Sequence, residues 1–240
     1  MTHTDFDRRR FITVSTTAAA SLLMGCPETG TVKPVQAADI DATGVAKPET
    51  ANGSNQRAEA PAAQTPCTPT SGDITGPFWR KGIPIRNSFD VHGHPGTKLA
   101  LSGTVQNGSC QPIPYAVIEM WHATPTTKAA DALKPADSVD YDTEGADFKY
   151  YGQFATDERG EYSMSTKKPG WYLNGPAFRP SHIHVKIYVN GVERLTTQLY
   201  FEGDPFIAND PWASRAPKRA VSLRPTSTSG LIGRFDFTLS

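Results

Sequence analysis

Residues 171–188 read W-Y-L-N-G-P-A-F-R-P-S-H-I-H-V-K-I-Y. Here His182 and His184 flank one apolar residue, and Ile183, Val185 and Ile187 alternate with polar or ring-bearing side chains. Alternation with a period of two predicts a strand. On a strand, residues i and i+2 share a face with their backbones roughly 7 Å apart, so two imidazoles so placed can converge on one metal ion. Arg179 and Pro180 come just before the strand, and Tyr172 lies one short loop upstream. A lone H-x-H is a weak signal; a tyrosine, an arginine and two histidines packed into so few residues are a much stronger one. Imidazole suits many first-row metals and adds no charge, whereas phenolate is a hard anion that favours ferric over ferrous iron. Three histidines would point to zinc, and two histidines with a carboxylate to ferrous iron.

Other residues of the same types read differently. His92-Gly93-His94-Pro95 is a second H-x-H, but it sits amid Gly and Pro and reads as a solvated turn. His122, in Trp121-His122-Ala123, reads as a core histidine or one that supports a site from behind. Of the three cysteines, Cys67 and Cys110 form an even pair that predicts a disulfide in an oxidising compartment. That bond would pin the start of the domain to the loop around Gly108.

The elements that must position these residues are strands. Residues 98–106, 114–121, 161–165, 195–201 and 235–239 carry strand patterns, with Ala116, Ile118 and Met120 on one face. Asn107-Gly108, Thr156–Gly160 and Asn190-Gly191 are turn signals between them. Many short strands, regular turns and little helical period predict an all-β fold, an antiparallel β-sandwich with long connecting loops. Residues 125–140 break the pattern with Ala, Lys, Asp and Pro and read as an inserted surface loop.

The 240 residues carry 24 Lys plus Arg against 24 Asp plus Glu, a balance that argues against nucleic acid or another polyanion as partner. No span reaches the length of a membrane-crossing helix. Residues 7–13 read D-R-R-R-F-I-T, and a mildly apolar run follows to Gly25. A charged start, a short apolar core and small residues before a cut site make residues 1–25 an export signal of twin-arginine type. Leu23-Met24-Gly25-Cys26 resembles a bacterial lipobox, so Cys26 is the expected lipidated terminus, the membrane being reached through that anchor alone. The expected location is the periplasmic or outer cell surface. Residues 26–66 are rich in Ala, Thr, Pro, Gly and Asn and form the expected disordered linker, which leaves residues 67–240 as the folded domain. About 40 flexible residues reach roughly 35 Å, enough to hold a domain clear of a membrane.

From about Cys67 onward the chain resembles the intradiol ring-cleavage dioxygenases, which include the protocatechuate and catechol dioxygenases. The resemblance rests on Pro169-Gly170-Trp171-Tyr172, on Arg179-Pro180-Ser181-His182-Ile183-His184-Val185, and on Thr197-Gln198-Leu199-Tyr200-Phe201. Thr75-Gly76-Pro77-Phe78 resembles the family's entry segment, with Thr75 where that segment usually carries Glu. The resemblance implies a ferric ion, Fe(III), held by two tyrosines and two histidines: Tyr172, His182, His184 and a second tyrosine. It implies that Arg179 and Gln198 line the substrate pocket, that Tyr172 can act as a base, and that the substrates are a catechol-type ring and O2. The second tyrosine is expected at Tyr141, which precedes Asp142 as in the family's Y-D segment; Tyr150 and Tyr151 are the alternatives. Two other readings compete: a non-catalytic surface-tethered β-sandwich binding module, and a copper or zinc protein that uses the histidines alone.

Overall fold

The computed structural model describes residues 66–240, apart from Val91 and Ala216. The expected signal, Cys26 and almost all of the expected linker lie outside the described residues. The strands run in chain order as β1 (Lys98–Asn107), β2 (Val117–Trp121), β3 (Tyr151–Ala155), β4 (Glu161–Lys167), β5 (Leu173–Asn174), β6 (Ala177–Phe178), β7 (His182–Val189), β8 (Val192–Phe201), β9 (Ala220–Val221), β10 (Leu223–Pro225), β11 (Leu231–Arg234) and β12 (Phe237–Leu239).

Two sheets stack face to face. One has the order β10-β11-β1-β12, with β4 on the other flank of β1; the second has the order β3-β2-β7-β8-β9. Period-two alternation dictates what each buries. Leu99, Leu101 and Val105 of β1 and Tyr162 and Met164 of β4 turn inward, against Ile118 and Met120 of β2 and Ile183, Val185 and Ile187 of β7. Each such side chain contributes about 1.5–3 kcal/mol by leaving water. This is the expected all-β sandwich.

Its sheets are mixed, however, where an antiparallel arrangement was expected. β1 runs parallel to both β11 and β12, and β8 runs parallel to β9. The ten residues of β1 are long enough for two short strands to lie end to end along one flank. Between them the backbone passes so close that a Cβ at Gly103 would sit 1.8 Å from the carbonyl oxygen of Phe235. The Phe235 N–H donates to Ser102 O at 2.9 Å, and the Thr104 N–H donates to Asp236 Oδ1 at 2.8 Å, which stitches the crossing. β2 begins at Val117, later than its sequence pattern implies, because Tyr115 turns through the left-handed region (φ 56°).

Two connections bear on the site. Cys67 and Cys110 are disulfide-bonded across 43 residues, and the Cys67 N–H donates to Gly108 O at 3.0 Å. The inserted loop contains two short 3₁₀ turns, Ala130–Ala132 and Pro135–Asp137. Its base is closed: the N–H and Oγ1 of Thr124 both donate to Asp140 O at 2.9 Å. The chain therefore returns to the place it left, and Tyr141 emerges just beyond the end of β2.

Candidate metal centre

His182 and His184 lie on β7, a central strand flanked by β2 and β8. Their side chains point away from the main core, to which Ile183 is committed on the other face. Register sets their neighbours. His184 is paired with Trp121 on one side and Gln198 on the other, and His182 is paired with Tyr200. A satellite apolar cluster of Ile83, Trp121, Ala123, Tyr141 and Tyr151, with Phe78 and Tyr172 packed on it, covers this face.

Both histidines are held as neutral rings. The Nδ1–H of His182 donates to Pro180 O at 2.6 Å, since a carbonyl can only accept; its Nε2 therefore carries the lone pair. That Nε2 lies 3.2 Å from the Tyr141 hydroxyl. Burial, helped by the Arg179 charge, pushes the His182 pKa down to about 3, and burial takes His184 well below its ordinary value. The His184 ring stacks on Trp121 at 4.9 Å and 5°. On another side, a Cβ at Gly76 would be 3.1 Å from its Cε1. Thr75-Gly76-Pro77-Phe78 thus closes over this histidine, and Gly76, at φ +70°, is a position suited to glycine.

Neither ring nitrogen of His184 has a hydrogen-bond partner among the described residues, although both are buried. An orphaned buried imidazole is costly. Around it the rings of His182, Tyr141 and Tyr172 crowd together. His182–His184 centroids are 4.9 Å apart, Tyr141–Tyr172 5.4 Å, Tyr172–His182 5.7 Å and Tyr141–His184 5.9 Å. Ligand atoms about 2.0–2.1 Å from a common ion come within roughly 3 Å of each other, and the Tyr141–His182 contact has that character. A first-row metal ion fits this donor set, and it would satisfy the lone pair that His184 leaves unpartnered. Without it both phenols stay protonated: burial holds Tyr141 well above the usual phenol range and raises Tyr172, which the Arg179 charge partly offsets.

The three candidate tyrosines separate cleanly. Tyr141 stacks flat on Phe78 at 4.2 Å with its hydroxyl beside His182. The Tyr151 hydroxyl donates to Phe78 O at 2.6 Å, and the Tyr150 hydroxyl bonds His94 Nδ1 at 2.7 Å, away from both β7 histidines. The His92-Gly93-His94 turn thus engages Tyr150 and is not wholly solvated. His122 is buried and satisfied, with Nδ1 on Ala123 O and Nε2 on Thr166 Oγ1, each at 2.7 Å.

Arg179 and Gln198 sit beside the ring cluster, both buried. Arg179 donates from Nη1 to Tyr172 Oη at 3.3 Å and from Nη2 to Gln198 Oε1 at 3.2 Å. Gln198 Nε2 donates to Ile74 O at 3.0 Å, which ties the entry segment to β8. Sequence reasoning missed two carboxylates here. Asp210 forms a buried ion pair with Arg179, and Asp73 one with Arg219 while accepting from Tyr200 Oη at 3.0 Å. Asp210 followed by Pro211 is the kind of pair that opens a helical turn, a signal that marks the fold without revealing its ionic partner.

Known proteins resemble this chain in sequence and in fold. The family model described as dioxygenase matches residues 74–240. A protocatechuate 3,4-dioxygenase beta chain of Burkholderia cepacia is 32% identical over 184 residues, 71% of this chain and 72% of that one. A chlorocatechol 1,2-dioxygenase of Pseudomonas putida is 32% identical over 155 residues, 57% of this chain and 55% of that protein. Two further chlorocatechol dioxygenases are matched over 60% and 64% of their lengths, so the chain spans between about half and two thirds of the three chlorocatechol dioxygenases. Among solved structures, the dioxygenase domain of a dioxygenase–carbohydrate-binding fusion from Streptomyces sp. SirexAA-E aligns with a TM-score of 0.60 at 32% identity, covering 72% of this chain and 99% of that one. The family model covers well over half of this chain, and the chain belongs to the intradiol ring-cleavage dioxygenase family.

Proposed function

We propose that this protein is a ferric-iron dioxygenase that opens a catechol-type ring between its two hydroxylated carbons and yields a cis,cis-muconate. The observation that carries this reading is the meeting of His182, His184, Tyr141 and Tyr172 in one buried cluster, with His184 unpartnered at both nitrogens among the described residues. His182 Nε2, a nitrogen of His184 and the Tyr141 and Tyr172 oxygens would hold the ion. Bound there, ferric iron would supply Lewis acidity toward the catechol oxygens and favour two phenolate ligands over a phenol pair.

The chain's own residues supply the rest. Tyr172, as phenolate, can take a proton from a catechol hydroxyl; Arg179 Nη1, at 3.3 Å, stabilises whichever charge the pair then carries. Arg179 does not lose its own charge, so it offers a permanent counter-charge to negative charge that grows on the ring. Gln198, fixed at both ends by Arg179 and Ile74, adds an oriented amide dipole. Phe78 and Trp121 screen the ligands from water. The names of the relatives, chlorocatechol and protocatechuate dioxygenases, support a catechol-type substrate with O2. The test is turnover: iron-loaded protein given catechol, protocatechuate or hydroxyquinol should consume one O2 per ring and release a muconate. No O2 uptake with any of the three would refute the reading.

Export through the twin-arginine route with lipid attachment at Cys26 belongs to the same proposal. It is supported by R-R-R-F-I, by L-M-G-C and by a disulfide that suits an oxidising compartment. Cys26→Ser should move the protein from the membrane fraction to the soluble one; a soluble wild-type protein that starts beyond residue 26 would contradict it.

A further inference from the structure

Arg179 spends most of its hydrogen-bonding capacity away from the ring cluster. Its Nε donates to Asp210 Oδ2 at 2.7 Å and its Nη2 to Asp210 Oδ1 at 3.3 Å, a two-point grip on one edge of the guanidinium. The two side chains are only 4% and 2% exposed. Asp210 is itself anchored: its Oδ1 accepts the N–H groups of Trp212 at 3.0 Å and Ala213 at 2.7 Å, at the head of the short 3₁₀ turn Ala213–Arg215. The Trp212 ring lies 4.5 Å from the guanidinium carbon. Nη2 also meets Gln198 Oε1 and, at 3.4 Å, Tyr200 Oη. Nη1 alone is turned toward Tyr172 Oη. Burial weakens a lone carboxylate, yet the Arg179 charge and the two backbone donors hold Asp210 below the ordinary carboxylate range.

A guanidinium is a rigid planar fork, so clamping its Nε/Nη2 edge fixes the direction of Nη1. We infer that Asp210 is a positioning residue: through a backbone-anchored carboxylate it aims Arg179 Nη1 at the place beside Tyr172 where a ring substrate must sit. The consequence for turnover rests on the dioxygenase reading; the aiming of the guanidinium does not.

The experiment compares Asp210→Asn, Arg179→Ala and the double variant, each iron-loaded, with catechol as substrate. Misplacing a reacting group's partner by an ångström costs on the order of 100-fold. Asp210→Asn should therefore lower kcat about 100-fold while KM changes less than about threefold, because the lost contact matters as charge develops. The double variant should lie within about threefold of Arg179→Ala, since Asp210 acts only through that arginine. Losses that multiply, or an unchanged kcat in Asp210→Asn, would overturn the inference. If Asp210→Asn fails to fold around its uncompensated arginine, the double variant, which lacks both charges, decides by the same comparison with Arg179→Ala. A second readout is independent of activity. In 15N-labelled wild-type protein the Arg179 Nε–H, identified by its loss in Arg179→Ala, should exchange slowly with solvent, and in Asp210→Asn, where a neutral amide replaces the carboxylate, it should exchange measurably faster. Unchanged slow exchange overturns the aiming. If the wild type turns over no catechol, the dioxygenase reading fails on its own, and the Nε–H exchange alone decides the role of Asp210.

Discussion

At the scale of single residues, the proposed role of Tyr141 as second phenolate ligand is the sharpest point. Tyr141 follows a sixteen-residue excursion, 125–140, yet its hydroxyl lies 3.2 Å from His182 Nε2. Tyr150 and Tyr151 are fully engaged elsewhere, on His94 and Phe78. Tyr141→Phe should abolish or strongly shift the visible phenolate band of the iron-loaded protein, whereas Tyr150→Phe and Tyr151→Phe should change it little. A Tyr141→Phe protein with the wild-type spectrum and turnover would remove Tyr141 from the site. His122 makes a different prediction. Burial pushes its pKa from 6.5 down to about 4, so the fold favours the neutral ring. Its contribution is present in full above pH 6.5 and is lost as the pH falls through about 4. Between pH 7 and pH 4.5 the metal-free wild type should lose about 2 kcal/mol more stability than His122→Gln, measured by urea unfolding. Equal pH dependence in the two proteins would mean that His122 titrates normally.

At the scale of elements, much was legible and some was not. The β7 pattern from His182 onward gave both the strand and its two faces, because burial of Ile183, Val185 and Ile187 leaves the histidines the opposite side. The Asn107-Gly108 and Asn190-Gly191 turns carry their own local chemistry, and they lie where β1 ends and where β7 meets β8. The parallel partners of β1 were not legible. β12 falls within the strand expected at 235–239, but its parallel pairing, and β11 altogether, depend on a long-range crossing at Gly103 that no local period announces. The ion pairs Asp210–Arg179 and Asp73–Arg219 were hidden for the same reason, since their partners lie far apart in the chain. The crossing has a measurable cost attached. Gly103→Ala puts a methyl group 1.8 Å from Phe235 O and 2.9 Å from Tyr162 Cε1, so backbone must move. Overpacking of this kind costs about 1–3 kcal/mol, and the urea midpoint should fall accordingly. A midpoint equal to the wild type would show that the two C-terminal strands part without penalty.

At the scale of the whole molecule, the described residues belong to one unit, Ala58–Ser240, closed at its start by Cys67–Cys110. This bond ties the segment that leads to Gly76 and His184 onto the end of β1. In the chain-entropy model a loop of 43 residues is worth about 3–4 kcal/mol to the folded state. The Cys67→Ser/Cys110→Ser variant should be less stable by that amount in urea, and two alkylatable thiols in native, unreduced wild-type protein would contradict the bond itself. The proposed function turns on the metal. The most direct measurement is the visible spectrum and iron content of purified wild-type protein beside His182→Ala and His184→Ala, before and after catechol is added without oxygen. A ferric site should give about one iron per wild-type chain, a red to purple phenolate-to-iron band that shifts on addition of catechol, and the loss of iron and colour in both histidine variants. A colourless wild-type protein after iron loading, or full iron occupancy in both variants, would contradict it.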